Sequence, residues 1–211
     1  MFLRRIQELL SSAPERPAPS VEEHDSALHR LDPLLFLNIF ESLTRYDAEL
    51  ANTLADRLGI TQQGLLELAG SGRLLGPGQL GEILDALDHH TRYQDIMDLA
   101  GRNCYSLQCA RDGELRRMPL PVLARRIGER LLPFLGEASL SIDTRGRVLM
   151  LRLTNSIFAT DRYSMNCLCG FYVGYLQQLG QETGMRGLEA RESSCACQEE
   201  DERSCLIQVA T

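Results

Sequence analysis

The chain has 211 residues, 44% of them hydrophobic, with 22 basic against 29 acidic side chains and a formal charge of -7. That length supports one sizeable core plus a small accessory unit, and the acidic balance argues against broad affinity for nucleic acid. Every basic residue is arginine, which excludes Schiff-base chemistry on lysine, a pyridoxal-phosphate enzyme and a lysine-bearing phosphate loop.

Residues 1–30 read as a flexible N-terminal segment. Met1 to Leu10 lacks the apolar run of a signal peptide, and Ser11 to Ser26 is rich in Ser, Pro and Glu. No 18-residue apolar stretch occurs, so no membrane span is expected and a cytoplasmic location is. Residues 31–75 read as a small helical module, with apolar residues at helical spacing from Leu31 to about Leu68, N-caps at Asp47 and Thr61, and stops at Gly59 and Gly70. Within residues 51–69, Ala55 to Thr61 followed by Leu65 has the spacing of a helix-turn-helix. Its second helix offers Gln62, Gln63 and Glu67 but no arginine for phosphates, which favours packing or partner docking over DNA reading.

Gly76-Pro77-Gly78 punctuates the chain and is expected to open a second domain, 76–211. Leu80, Ile83, Leu84 and Leu87 share a helical face, and Ile96, Met97 and Leu99 predict a helix ending near Gly101. His89, His90 and Tyr93 could make a ligand set for haem or a metal, but adjacent histidines point apart and more often cap a helix end. Cys104 and Cys109 read as buried thiols or, less simply, as a redox or second metal pair. Pro119 and Pro121 introduce a helix from Val122 to Leu132, with Leu123, Ile127 and Leu131 inward and Arg125, Arg126 and Arg130 outward. Ser139 to Asp143 and Arg147 to Thr154 alternate about a turn at Thr144-Arg145-Gly146, which predicts a β-hairpin. An apolar helix from Cys169 to Leu179 and strands at Gly187 to Ser193 and Cys205 to Val209 complete an α+β domain, its antiparallel sheet packed on helices.

Five of the seven cysteines fall in the last 45 residues, as N-C-L-C-G from Asn166 and R-E-S-S-C-A-C from Arg191, with Cys205 before the closing strand. Thiolates with one carboxylate suit a tetrahedral metal site. The same residues also read as plain buried thiols or as a disulfide or redox pair. No Ser-His-Asp pattern, dinucleotide-binding glycine motif or paired-carboxylate signature stands out.

From about Gly76 onward the sequence resembles the 4-vinyl reductase domain family, on the strength of Glu192-x2-Cys195, Cys205, and Gly170 and Gly174 in the helix after Cys169. The resemblance implies a fold similar to subunits of vesicle-tethering complexes, preceded here by the helical module. It also implies a structural zinc bound by Cys169, Glu192, Cys195 and Cys205, with Cys167 and Cys197 as alternates. Nine residues separate Cys195 from Cys205 where the family has seven; Cys197 restores the spacing but sets Ser194 at the glutamate position. An apolar pocket is implied between helices and sheet, with Phe158, Tyr163, Phe171, Tyr172 and Tyr175 as lining candidates. A site of three thiolates and a carboxylate has no open position, and no general base has a motif around it.

Two functions follow as expectations. One is a non-enzymatic sensor or carrier for a small apolar, aromatic or tetrapyrrole-like ligand, acting on a partner protein in trans, with homodimerisation expected from the resemblance. The other is an enzyme or accessory protein of tetrapyrrole (bacteriochlorophyll-type) biosynthesis, for which the chain carries no nicotinamide or flavin motif.

Overall fold

A computed structural model describes residues 31–61, 63–64, 67, 77–112, 118–136, 138–158, 169–183, 188–196 and 204–210. Among these residues the chain forms six α-helices and one four-stranded antiparallel sheet: α1 Pro33–Tyr46, α2 Ala48–Leu58, α3 Pro77–Asp88, α4 Tyr93–Asp112, α5 Leu120–Leu131, β1 Ser139–Arg145, β2 Val148–Thr154, α6 Gly170–Glu182, β3 Glu189–Ser194 and β4 Ser204–Ala210. The sheet order is β1-β2-β4-β3. The α+β class with an antiparallel sheet on helices is as expected.

Asp32 caps α1, its Oδ1 accepting the Leu34 N–H at 2.9 Å. The helix is buried from Pro33 to Leu43, round its whole circumference, as expected of an element interior to a core rather than one lying on its surface. Asp47 ends α1 and caps α2 through Oδ1 to the Leu50 N–H, and Gly59 closes α2 in the left-handed region at φ 61°. Thr61 accepts the Gly64 N–H through Oγ1. Most of the would-be second helix-turn-helix element, and Gly70, lie outside the described residues. α1 packs on α4, so residues on both sides of position 75 belong to one core that runs from Leu31 to Val209.

Pro77 is the first residue of α3, a position where its missing N–H costs nothing. One expectation is corrected here. Gly101 does not end a helix: α4 runs through it to Asp112. A Cβ on Gly101 would lie 1.9 Å from the Phe171 carbonyl oxygen, and one on Gly174 2.0 Å from that of Asp98. The two glycines let the backbones of α4 and α6 touch, so this glycine serves packing and not termination.

In the sheet, β1 and β2 form the expected hairpin, but the two-residue turn is Gly146-Arg147, because Arg145 still pairs with Val148. Gly146 takes φ 62° at the first loop position, as such tight hairpins require. Leu149, Leu151 and Leu153 on β2 stand opposite Val209, Ile207 and Cys205 on β4, and all six are buried. One face of the sheet therefore carries Cys205 into the core.

Candidate metal centre

Three elements converge at the end of that sheet face. Cys169 sits at the N-cap of α6, where its carbonyl accepts the Tyr172 N–H at 2.9 Å. Cys205 alternates inward with Ile207 and Val209 on β4. Glu192 lies on β3 and Cys195 just beyond its end.

The Glu-x2-Cys spacing needs a special device. Three residues apart on a regular strand, Glu192 and Cys195 would face opposite sides of the sheet. A β-bulge resolves this: Glu192 pairs with Ile207 but Ser194 pairs with Leu206, so Ser193 is the extra residue and the alternation changes phase. Ser193 is exposed and its Oγ donates to the Leu206 carbonyl at 3.1 Å. The sequence reading missed this bulge; the paired serines before Cys195 were its only trace.

The donor atoms of Cys169, Glu192, Cys195 and Cys205 all lie within 4.8 Å of one another. The sulfur separations are 3.2 Å for Cys169–Cys205, 3.5 Å for Cys195–Cys205 and 3.8 Å for Cys195–Cys169. A tetrahedron with metal–sulfur bonds of about 2.3 Å has edges of about 3.8 Å, so these spacings are close to ligand geometry and far from a disulfide bond of about 2.05 Å. All three cysteines are buried and in no disulfide. Ser156 Oγ stands 3.8 Å from Cys169 Sγ.

The thiols of the group interact electrostatically. The Cys169 thiol is held well above the ordinary thiol range by its bonds with Cys195 and Cys205, then by burial and by the Glu192 charge. For Cys205 the bond to Cys169 pulls downward, but the bond with Cys195, burial and the Cys195 charge outweigh it. Three thiolates and a carboxylate this close repel one another, and a bound cation reverses that balance.

The sequence-expected set is thus brought together as Cys169, Glu192, Cys195 and Cys205, while the alternates Cys167 and Cys197 lie outside the described residues. Of the pocket candidates, Tyr163 also lies outside them. Phe158, Phe171, Tyr172 and Tyr175 are fully buried and pack on one another and on Phe134, with ring centroids 5.1 to 6.4 Å apart. Tyr172 donates to the Phe134 carbonyl and Tyr175 to Gln108 Oε1. Burial, first of all, holds both phenols well above their usual range, so they stay protonated donors.

His89 and His90 stand at the C-terminal end of α3. His89 is exposed; His90 accepts the Arg92 N–H through Nδ1 at 3.0 Å and places Nε2 3.5 Å from Asp47 Oδ2. His90 is a local cap, and Tyr93 begins α4 beside it.

The fold is similar to that of H-NOX proteins. It resembles the crystal structure of an H-NOX protein from S. oneidensis in the Fe(II)NO ligation state, with a TM-score of 0.52 over 85% of this chain and 98% of that one, at 12% identity. A variant of an H-NOX protein from S. oneidensis in the Fe(II) ligation state gives the same TM-score and identity, over 85% of this chain and 95% of that one. No family model and no curated protein matches the sequence.

These findings overturn two expectations. The structural likeness goes to H-NOX proteins, so the 4-vinyl reductase resemblance is withdrawn, with the tetrapyrrole role drawn from it. Zinc is withdrawn as the cofactor as well: the fold neighbours carry iron, and four converging donors do not by themselves name an element. The error arose because a short cysteine–glutamate pattern was given the weight of a whole family. Nor do the described residues fit an iron held by imidazole, since both described histidines lie at the periphery of α3 and none enters the core.

Proposed function

We propose that this chain is a non-enzymatic small-molecule sensor domain that signals through a partner protein. In this reading Cys169, Glu192, Cys195 and Cys205 hold one thiophilic metal ion. The observation that carries the proposal is the convergence of these four donors, from the start of α6, the bulged end of β3 and the inward face of β4. Four protein donors fill a tetrahedron, so the ion would tie helix to sheet instead of presenting an open position to a substrate. The fold of the H-NOX proteins supports the sensing role, since one such neighbour is described with NO on Fe(II). A small apolar ligand would meet the aromatic cluster of Phe158, Phe171, Tyr172 and Tyr175, directly beside Cys169. The described cysteines, none of them in a disulfide, suit a reducing, cytoplasmic setting, and no described helix is long and apolar enough to cross a membrane.

The test is elemental analysis of the purified, untagged chain together with its absorption spectrum and its melting temperature under nitric oxide and small aromatic ligands. About one thiophilic ion per chain, bound at a four-donor site, and a ligand-dependent rise in melting temperature support the reading. A metal-free chain that responds to no ligand overturns it.

A further inference from the structure

The two edges of the sheet are built differently. On the β3 side the bulge at Ser193 breaks the strand's regularity, α6 packs against the strand, and Gln177 Nε2 on α6 donates to the Ala190 carbonyl at 3.3 Å. Bulges and covering elements keep an edge strand from pairing with another chain. β1 has neither a bulge nor a capped carbonyl. Its pairing with β2 is unbroken from Ser139 to Arg145 and it holds no proline. Among the described residues its backbone makes no hydrogen bond beyond that ladder. Ser139, Ser141, Asp143, Thr144 and Arg145 are exposed, while Leu140 and Ile142 are half-buried on the face that meets α5.

The hairpin fixes which backbone groups of β1 face outward. In a two-residue hairpin the residues flanking the turn exchange N–H···O bonds, and such pairs then alternate along the antiparallel ladder. Arg145 and Val148 flank the turn, so Asp143, Ser141 and Ser139 bond to β2 in the same way. The N–H and C=O groups of Leu140, Ile142 and Thr144 therefore point away from the sheet, a row of donors and acceptors symmetric about Ile142.

We infer that the β1 edge is an interface between two copies of this chain, paired antiparallel about a two-fold axis at Ile142. In this register Ile142 meets Ile142 of the second copy and Leu140 meets Thr144, each pair exchanging both N–H···O bonds. Every outward group from Leu140 to Thr144 is then satisfied. The side chains agree with the register: Ser141 stands opposite Asp143 and Ser139 opposite Arg145, so no like charges meet, and the two Ile142 side chains meet on the half-buried face. The chain as a whole carries a charge of -7, which opposes self-association, but β1 holds one aspartate and one arginine and is neutral. Because the β3 edge is bulged and capped, pairing through β1 closes at a dimer instead of extending into a fibre. A single strand pair is a small contact beside those of permanent dimers, so the association is reversible and depends on concentration.

The experiment is sedimentation velocity of the full chain over a wide concentration range, with hydrogen exchange of single amides read by NMR at both ends of it. The Leu140, Ile142 and Thr144 amides should be protected only in the concentrated sample, and those of Ser141 and Asp143, which face β2, in both. Thr144→Pro removes an outward N–H and leaves the bonds to β2 in place. It should weaken the dimer about thirtyfold, the loss of one hydrogen bond on each side of the axis. Ser141→Asp sets a second carboxylate opposite Asp143 of the second copy but faces Arg152 within its own sheet, so the chain should stay folded while the dimer weakens about tenfold. A chain that is monomeric at every concentration overturns the inference, as does a dimer whose affinity neither substitution changes. If Thr144→Pro fails to fold, an undiminished dimer in Ser141→Asp overturns it alone.

Discussion

The contact between α4 and α6 is the most exposed point of the structural argument, because it can be attacked with one methyl group. In Gly174→Ala the new Cβ would stand 2.0 Å from the Asp98 carbonyl oxygen, 2.7 Å from its carbon and 2.8 Å from its Cα. Comfortable contact needs about 3.5 Å, so the helices must part by more than an ångström. Every obstructing atom is backbone and cannot rotate aside. Overpacking of this kind costs about 3 kcal/mol at the upper end of its usual range, and alanine recovers about 1 kcal/mol in helix propensity, leaving a net loss of about 2 kcal/mol. For a chain of this length that lowers the melting temperature by about 4–8 °C. Gly81→Ala is the control: it also lies within a helix, but its Cβ would meet nothing within 4 Å, so it should be stabilising by about 0.5–1 kcal/mol. Urea unfolding followed by circular dichroism, with midpoints compared at equal slope, measures both. Equal midpoints for the two variants would refute the reasoning, since only the helix contact distinguishes them.

Other outcomes follow from the same structure. Cys205→Ser should strip the proposed metal ion and lower the melting temperature, whereas Cys109→Ser should keep it; elemental analysis of both decides whether the centre is assigned correctly. Deleting Ser193 removes the bulge but leaves Glu192 and Cys195 two residues apart on a regular strand, still on one face, so the ion content proposed for the site should be retained while the β3–β4 pairing persists. Gly59→Ala should cost about 1 kcal/mol, because φ 61° is left-handed although the space is open. Glu41 on α1 is held above the usual carboxylate range by burial, only partly offset by its bond with Arg45 and the Arg45 charge. The folded state therefore favours its protonated form, a contribution present below the ordinary carboxylate value and lost as pH rises through the folded one. Glu41→Gln should raise the melting temperature at neutral pH, and the gain should shrink as pH falls toward about 4; a gain independent of pH would reject burial as the cause.

The sequence by itself determined most of the local structure. Asp47 and Gly59 bound α2, Pro119 at the N-cap and Pro121 in the first turn set the start of α5, and alternation about Gly146 marked the hairpin, because caps, proline and period-2 patterns act over a few residues. The cysteines and the glutamate of the cluster were visible as residue types, but the choice of Cys169, Glu192, Cys195 and Cys205 came through the resemblance now withdrawn, and their convergence is seen only in the structure. Tertiary structure decided the rest. Gly101 looked like a helix stop, and only the approach of α6 shows that its missing Cβ serves packing. Glu192 and Cys195 share a face only because Ser193 bulges against β4, which depends on the register with a strand that begins twelve residues after Glu192. Arg130 read as a solvated arginine until α4 supplied Cys109 as its partner. Which family the chain resembles was also beyond the local pattern: a cysteine motif of a few residues is short enough to mislead, whereas the H-NOX likeness rests on the path of most of the backbone. Local chemistry is written in neighbouring residues, but register, helix approach and convergence of donors are set by contacts between residues far apart in the chain.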